Sequence, residues 1–374
     1  MEVSNRLLAL DLFRGITIAG MILVNTPGSW EHVYPPLLHA DWHGCTPTDW
    51  VFPFFLFMVG VAIPLALGRR LDEGANRQQI MLKILRRTLI IFGLGLFLNL
   101  FPRFDFATVR IPGVLQRIAL VYFFCSLIFV YVRNWRTQAW LTGGILLSYW
   151  VLMTLMPVPD GNPPNLQPET NLGAWLDRFL LGSNHLWKQS LTWDPEGILS
   201  TLPAIGTGMM GVFTGLWLKT DRNHYEKITG IIGMGVLAMA VGLIWDLTFP
   251  INKKIWTSSY VLYTGGIALL FLGIIYWLVD VLGYRRWTKP FLVLGTNALF
   301  AFFMSSFVVK LMSLPKWTLP DGSTQNLYGK IYTDLFVPLF TSPYNASLAF
   351  AIAFVLFILG LTWILYWRKI FIRV

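Results

Sequence analysis

Residues 49–68 read DWVFPFFLFMVGVAIPLALG, twenty residues with one charge, Asp49, at their head. An α-helix rises 1.5 Å per residue, so a stretch of about 20 residues spans the roughly 30 Å hydrocarbon core of a bilayer. Arg69 and Arg70 follow immediately. Working outward from this segment, nine others meet or approach the same length: 7–26, 84–101, 112–132, 138–156, 199–218, 227–246, 259–279, 291–312 and 347–367. The composition agrees, with 55% apolar and 13% charged residues, against about 25% charged in soluble domains. The expected fold class is therefore all-α: a polytopic integral membrane bundle of about ten transmembrane helices. A single transmembrane domain is expected over 1–374. The stretch 331–340 is apolar but too short to span, and reads as re-entrant or interfacial.

The formal charge of +10 raises a nucleic-acid reading, which the distribution excludes. The basic residues fall in short clusters between apolar runs, as in loops on the negative-inside face of a lipid bilayer. With the N-terminus cytoplasmic, the same side receives Arg69, Arg70, Arg77 and Lys83, then Arg133 and Arg136, then Lys219, Arg222 and Lys227, then Arg285, Arg286 and Lys289. The tail adds Arg368, Lys369 and Arg373. The opposite connections, 27–48, 102–111, 157–198, 247–258 and 313–346, are longer and more dilute in Lys and Arg. Both termini are expected in the cytoplasm. Met1 to Arg6 run straight into the first apolar segment without a cleavable-signal layout. The connection 157–198 exceeds what a link needs. Its Trp175, Leu176, Phe179, Leu180 and Trp187 suit an ordered cap. Cys45 and Cys125 are too few and too separate for a disulfide framework. No internal repeat supports a transporter built from inverted halves.

Charged groups inside spans are candidates for function. Asp11 and Arg14 lie three apart on one helix face, suited either to a local ion pair or to ligand contact. The densest set is His39, Asp41, Trp42, His43 and Asp49, and three of the five histidines fall at 32–43. Histidine moves protons near neutral pH. Imidazole and carboxylate also suit zinc, but no H-E-x-x-H spacing is present, so no metal is expected. Backbone-bonded loop histidines are the plain alternative. Trp193 to Pro203 form an acidic turn running into a span, with Asp194 or Ser200 as its cap and Glu196 near its first turn, or with Asp194 and Glu196 as ligand groups. Gln116 and Arg117 begin the fourth segment, and Asn297 lies within the ninth as interhelical glue or ligand contact. Neither a P-loop nor a dinucleotide fingerprint appears.

Five stretches stand together in a recognisable order: LDLFRG at 10–15, HADWHG at 39–44, DWVFPFFLFMVG at 49–60, GVLQRIA at 113–119 and DPEGILST at 194–201. Over nearly the whole chain the sequence resembles the bacterial branch of the heparan-alpha-glucosaminide N-acetyltransferase family, transmembrane acyltransferases. Some bacterial members carry names related to N-acetylglucosamine transport. The resemblance implies an enzyme that uses cytoplasmic acetyl-CoA and acetylates the amine of a glucosamine-type acceptor across the membrane. In a bacterium that is the periplasmic side of the inner membrane, and the acceptor an amino sugar or glycan. His39 falls on the family's catalytic histidine, and His43 stands where the lysosomal relative has asparagine. A homodimer is the family-based expectation. Residue chemistry supplies the remaining roles. His39 is general base or acetyl carrier, with its ring oriented by Asp41 or Asp49. Asn297 is an oxyanion donor. Arg14, Gln116 and Arg117 face acetyl-CoA, and Asp11, Trp42, His43, Asp194 and Glu196 face the acceptor. A sugar or amino-sugar permease is the alternative function, and a structural or interaction membrane protein a third.

Overall fold

The structure, a computed structural model, describes residues 7–318 and 322–372, so Arg373 lies outside the described residues. Helices form over all ten expected segments: α1 (Leu8–Asn25), α2 (Pro47–Asp72), α3 (Arg77–Leu100), α4 (Val114–Tyr131), α5 (Trp135–Leu155), a short α6 (Leu172–Leu181), α7 (Thr201–Leu218), α8 (His224–Asp246), α9 (Ser258–Tyr276), α10 (Lys289–Thr296), α11 (Ala298–Met312), a short α12 (Leu327–Ile331) and α13 (Pro343–Trp367). Among the described residues, eight are long and apolar enough to cross a membrane. A ninth crossing counts α10 and α11, bent by 85° at Asn297, as one broken span. The expected count of ten is thus not reached. The segment 84–101 is the far part of α3, whose near part carries Arg77, Lys83, Arg86 and Arg87, and those charges set it apart from the apolar set. The protein is a predominantly helical, multi-pass membrane protein. Lipid is the solvent for α8, on which Leu237, Leu243 and Ile244 are exposed without polar cover.

The described chain divides into two units. The first holds the chain up to His39, Thr46–Phe52, and the part from Ile275 onward. Here α1 starts without a cap of its own, and the Asp280 carboxylate accepts the N–H groups of Leu8 and Ala9 at 3.1 and 2.9 Å. That anion at a helix N-terminus satisfies two orphan donors and complements the dipole. Against α1 lies α10, at backbone contact: a Cβ on Gly15 would sit 1.8 Å from the Phe291 carbonyl oxygen. Lys316–Thr318 and Thr324–Asn326 pair as two short antiparallel strands, with Lys316 opposite Asn326. The expected re-entrant or interfacial stretch becomes α12 and short turns at Tyr332–Phe336 and Val337–Leu339. These anchor through Tyr332 against Phe350 of α13 and leave Leu339 exposed.

The second unit holds Ala40–Cys45 and Pro53–Ile274. Its axis is α7, whose glycines meet α2 backbone to backbone. A Cβ on Gly60 would lie 1.9 Å from the Gly208 oxygen, and one on Gly211 would lie 2.0 Å from the Phe57 oxygen. Small residues allow such approach between membrane helices. No side-chain rotation relieves a clash with backbone, so Gly60→Ala is expected to destabilise by about 1–3 kcal/mol. A lowered melting temperature in detergent checks this. Gly233→Ala in α8, where a new Cβ meets nothing within 4 Å, is the control and should be neutral or stabilising. Within 157–198, α6 packs Leu172 and Leu176 on a core of Tyr149, Met153, Leu199, Phe249 and Ile255. Phe179 and Leu180, expected as anchors, are exposed.

Candidate active site

Beyond α1 the chain is tied down residue by residue in the first unit. The Tyr34 hydroxyl donates to Asn345 Oδ1 (2.6 Å), and Thr48 Oγ1 donates to the Pro36 carbonyl (3.1 Å). Thr46 Oγ1 lies 2.6 Å from the Leu38 oxygen. His39 follows directly, and its Nδ1 is 2.7 Å from Asp49 Oδ1. Pro47 starts α2, which places Asp49 in the first turn, where the helix dipole favours a carboxylate. The other oxygen, Oδ2, accepts the Thr46 N–H at 3.0 Å and lies 3.1 Å from the Thr46 hydroxyl. The Asp49 side chain is 1% exposed and the His39 side chain 37%. A buried, hydrogen-bonded carboxylate at Nδ1 sets the neutral ring's tautomer, with the proton on Nδ1 and the lone pair on Nε2. Of the two carboxylates expected to orient His39, the structure brings Asp49 to it.

Other expected site residues of this unit lie elsewhere in it. Arg14 Nη1 is 3.4 Å from both Asp11 Oδ1 and the Gly295 carbonyl, in the first turns of α1. Nearby, the Asn297 amide donates to the Ile370 carbonyl (3.1 Å) and accepts the Ile372 N–H (2.9 Å). Asn297 thus clamps the C-terminal segment. From Asp11 to the end of α1 at Asn25 is about 21 Å at the helical rise. The chain to His39 departs from that far end, so the structure does not bring Asn297 to His39.

The second unit gathers the acidic turn 194–200 around two arginines. Arg110 grips Asp194 through Nε (2.8 Å) and Nη2 (2.6 Å) and reaches Glu196 at 2.5 Å. Arg117, wholly buried in α4, donates to the carbonyls of Pro195 and Gly197, each at 3.0 Å, and to Ser200 Oγ. Its guanidinium lies 5.1 Å from the Trp256 ring centroid. Gln116 turns back to donate to the Ile111 carbonyl at 3.0 Å. Asp177 of α6 accepts the Ile198 N–H at 2.8 Å, and Gly197 leaves room for it, since a Cβ there would sit 2.1 Å from Asp177 Oδ2. Burial, reinforced by the neighbouring Asp194, pushes the Asp177 carboxyl from its ordinary 3.8 up to about 7.

The sign of the Asp177 effect follows. The folded state holds a proton that the unfolded chain has lost, so this group's contribution falls as pH rises from about 4 to about 7. Amide exchange around Ala174 and Ile198, corrected for intrinsic rate, is expected to be less protected at pH 8 than at pH 6. Asp177→Asn should remove the difference.

Next to this turn stand Trp42, His43 and Asp41. Trp42 Nε1 donates to the Leu166 carbonyl (2.9 Å), and its ring meets Trp193 edge-on at 5.2 Å. His43 Nδ1 lies 3.4 Å from Asn252 Nδ2. Burial lowers its pKa, against the pull of Asp246. Asp41, exposed, receives the Lys254 ammonium at its backbone carbonyl. Of the residues expected to face the acceptor, Trp42, Asp194 and Glu196 therefore share one neighbourhood with His43. Arg110, Asp177, Trp193 and Lys254 belong there too and were not anticipated.

Residues 6–176 match a family described as "Domain of unknown function (DUF5009)". The chain is also 28% identical over 356 residues to the mouse protein named heparan-alpha-glucosaminide N-acetyltransferase, covering 80% of this chain and 53% of that one. Identity to the human protein of the same name is 28% over 354 residues, covering 79% and 52%. The relationship is one of distant homology. This chain spans about half the length of the curated relatives it matches.

Proposed function

We propose that the protein is a transmembrane acetyltransferase of a bacterial inner membrane, moving an acetyl group from cytoplasmic acetyl-CoA to the amine of a periplasmic amino sugar. The observation that carries this reading is the His39–Asp49 pair, a half-exposed imidazole oriented by a buried carboxylate. The name of the relatives and the multi-pass architecture support it. The proposed topology keeps both termini cytoplasmic, from the Lys and Arg clusters, and counts α3 as a tenth crossing; His39 and Trp42 then lie on the opposite side.

The acceptor arrives as an ammonium and must lose a proton before it attacks. His39 Nε2 takes that proton, and Asp49 stabilises the imidazolium that forms. The amine nitrogen bonds to the thioester carbonyl carbon and the C–S bond breaks; the proton held by His39 goes to the CoA thiolate, and the second proton that the nitrogen loses as the amide forms is released to solvent. In the two-step variant Nε2 itself accepts the acetyl group and passes it to the amine. Arg14, in the first turns of α1, is assigned to the phosphates of CoA. Arg117 braces the acidic turn through the carbonyls of Pro195 and Gly197, while Gln116 holds the Ile111 carbonyl.

The test supplies purified protein in detergent with labelled acetyl-CoA and glucosamine. Labelled N-acetylglucosamine is the expected product. No acetylated amine, together with uptake of unmodified glucosamine into proteoliposomes, would replace this reading with a permease.

A further inference from the structure

Behind Trp193 in the second unit lies a small pocket lined by Asn171, Asp177, Trp193, Asp194, Ser200 and Lys254. Its free space is about that of one water molecule. Asn171, Asp177, Asp194 and Ser200 are buried, and Lys254 is half-buried. Arg110 neutralises Asp194 with two hydrogen bonds. Asp177 differs. It is 3% exposed, and among the described residues no cation lies within 4.0 Å of it. Arg117 acts on it only from further off, burial still disfavours its ionised form, and a cation brought into contact relieves that cost.

Among the described residues, Lys254 is the cation that lines this pocket. The Lys254 ammonium stands 6.0 Å from the Trp42 ring centroid and 5.9 Å from that of Trp193, tethered to the Asp41 carbonyl. Two indoles facing an ammonium form a cation–π site. A primary ammonium is also about the size of water, so it fits where a larger group does not.

We infer that this pocket is a staging subsite for the protonated amine of an amino sugar, with the ammonium set against Asp177, the sugar ring on Trp42 and Trp193, and Lys254 as the tethered competitor that the ligand displaces. The inference rests on the amino-sugar reading above and adds a basis for selectivity. Acetylation removes the charge and enlarges the group, so the product no longer fits. The amine withdraws from this subsite before it reacts.

The test is calorimetric titration of the full chain in detergent, without acetyl-CoA. The probes are glucosamine, N-acetylglucosamine, glucose and ethanolamine, the last standing for a lipid headgroup amine. Glucosamine is expected to bind at least about tenfold more tightly than the other three, since only it has both the charge and the ring. Asp177→Asn, which keeps an acceptor for the Ile198 N–H, should weaken glucosamine by about tenfold or more. Lys254→Ala, at a half-buried position, should tighten it. N-acetylglucosamine or ethanolamine binding as tightly as glucosamine overturns the assignment, and so does unchanged glucosamine affinity in Lys254→Ala. Selective binding without acetyl transfer would retain the pocket and remove the acetyltransferase reading. Transfer with an unaltered KM for glucosamine in Asp177→Asn would do the reverse.

Discussion

Replacing His39 by alanine is expected to lower acetyl transfer to glucosamine by about 10²–10⁴-fold, the range for losing a positioned general base. If His39 carries the acetyl group, no turnover should remain above background. The fold should be little affected, because the His39 ring is half-exposed and Asp49 keeps its hydrogen bond from the Thr46 N–H. Comparison with Asp49→Asn separates the parts. That change retains a polar partner at Nδ1 but removes the charge that stabilises imidazolium and sets the tautomer. It should leave a smaller residual rate than wild type with a shifted pH profile. The measurement is the initial rate with labelled acetyl-CoA, beside melting curves of the same preparations. Full activity in His39→Ala would remove His39 from the chemistry.

Arg110→Met should have the largest effect on stability. The guanidinium is the counter-ion of Asp194, whose side chain has no exposure, and of Glu196, which is 10% exposed. Removing one partner of a buried ion pair typically costs about 3–5 kcal/mol, because the other charge stays behind. The stranded carboxylate then has a raised pKa in the folded state, so the folded protein binds a proton the unfolded chain does not. Stability of the variant should therefore recover as pH is lowered, which wild type should not do to the same degree. Melting temperatures at two pH values check this. Pairing Arg110→Met with Asp194→Asn should restore part of the loss.

What could be read from the sequence divides along the range of the interactions. Apolar runs of spanning length are local, and a helix formed over each. The tenth, in α3, is set apart from the others because its basic residues lie inside the same helix as its apolar part. His39 and Asp49 could both be named, but Asp41 was the nearer carboxylate in sequence. The choice between them depends on where α2 begins, which turns Asp49 toward the ring. The Arg110–Asp194 contact joins residues 84 apart, and no local pattern links them. Asp177 sits among the apolar residues of α6 and drew no reading of its own, because burial beside another carboxylate is a tertiary property. Asn297 was open between glue and ligand contact, and its amide is occupied by backbone 73 and 75 residues away.

The glycine contact between α2 and α7 also bears on how the acyl donor travels. A pantetheine arm needs a slot wide enough for a chain of methylenes and amides. Along this seam even one methyl group is too large beside Gly60, Gly208 and Gly211. That seam is closed to traffic, so a thioester crossing the membrane must follow another course. In the proposed reaction the two helices are a fixed rail and not a passage.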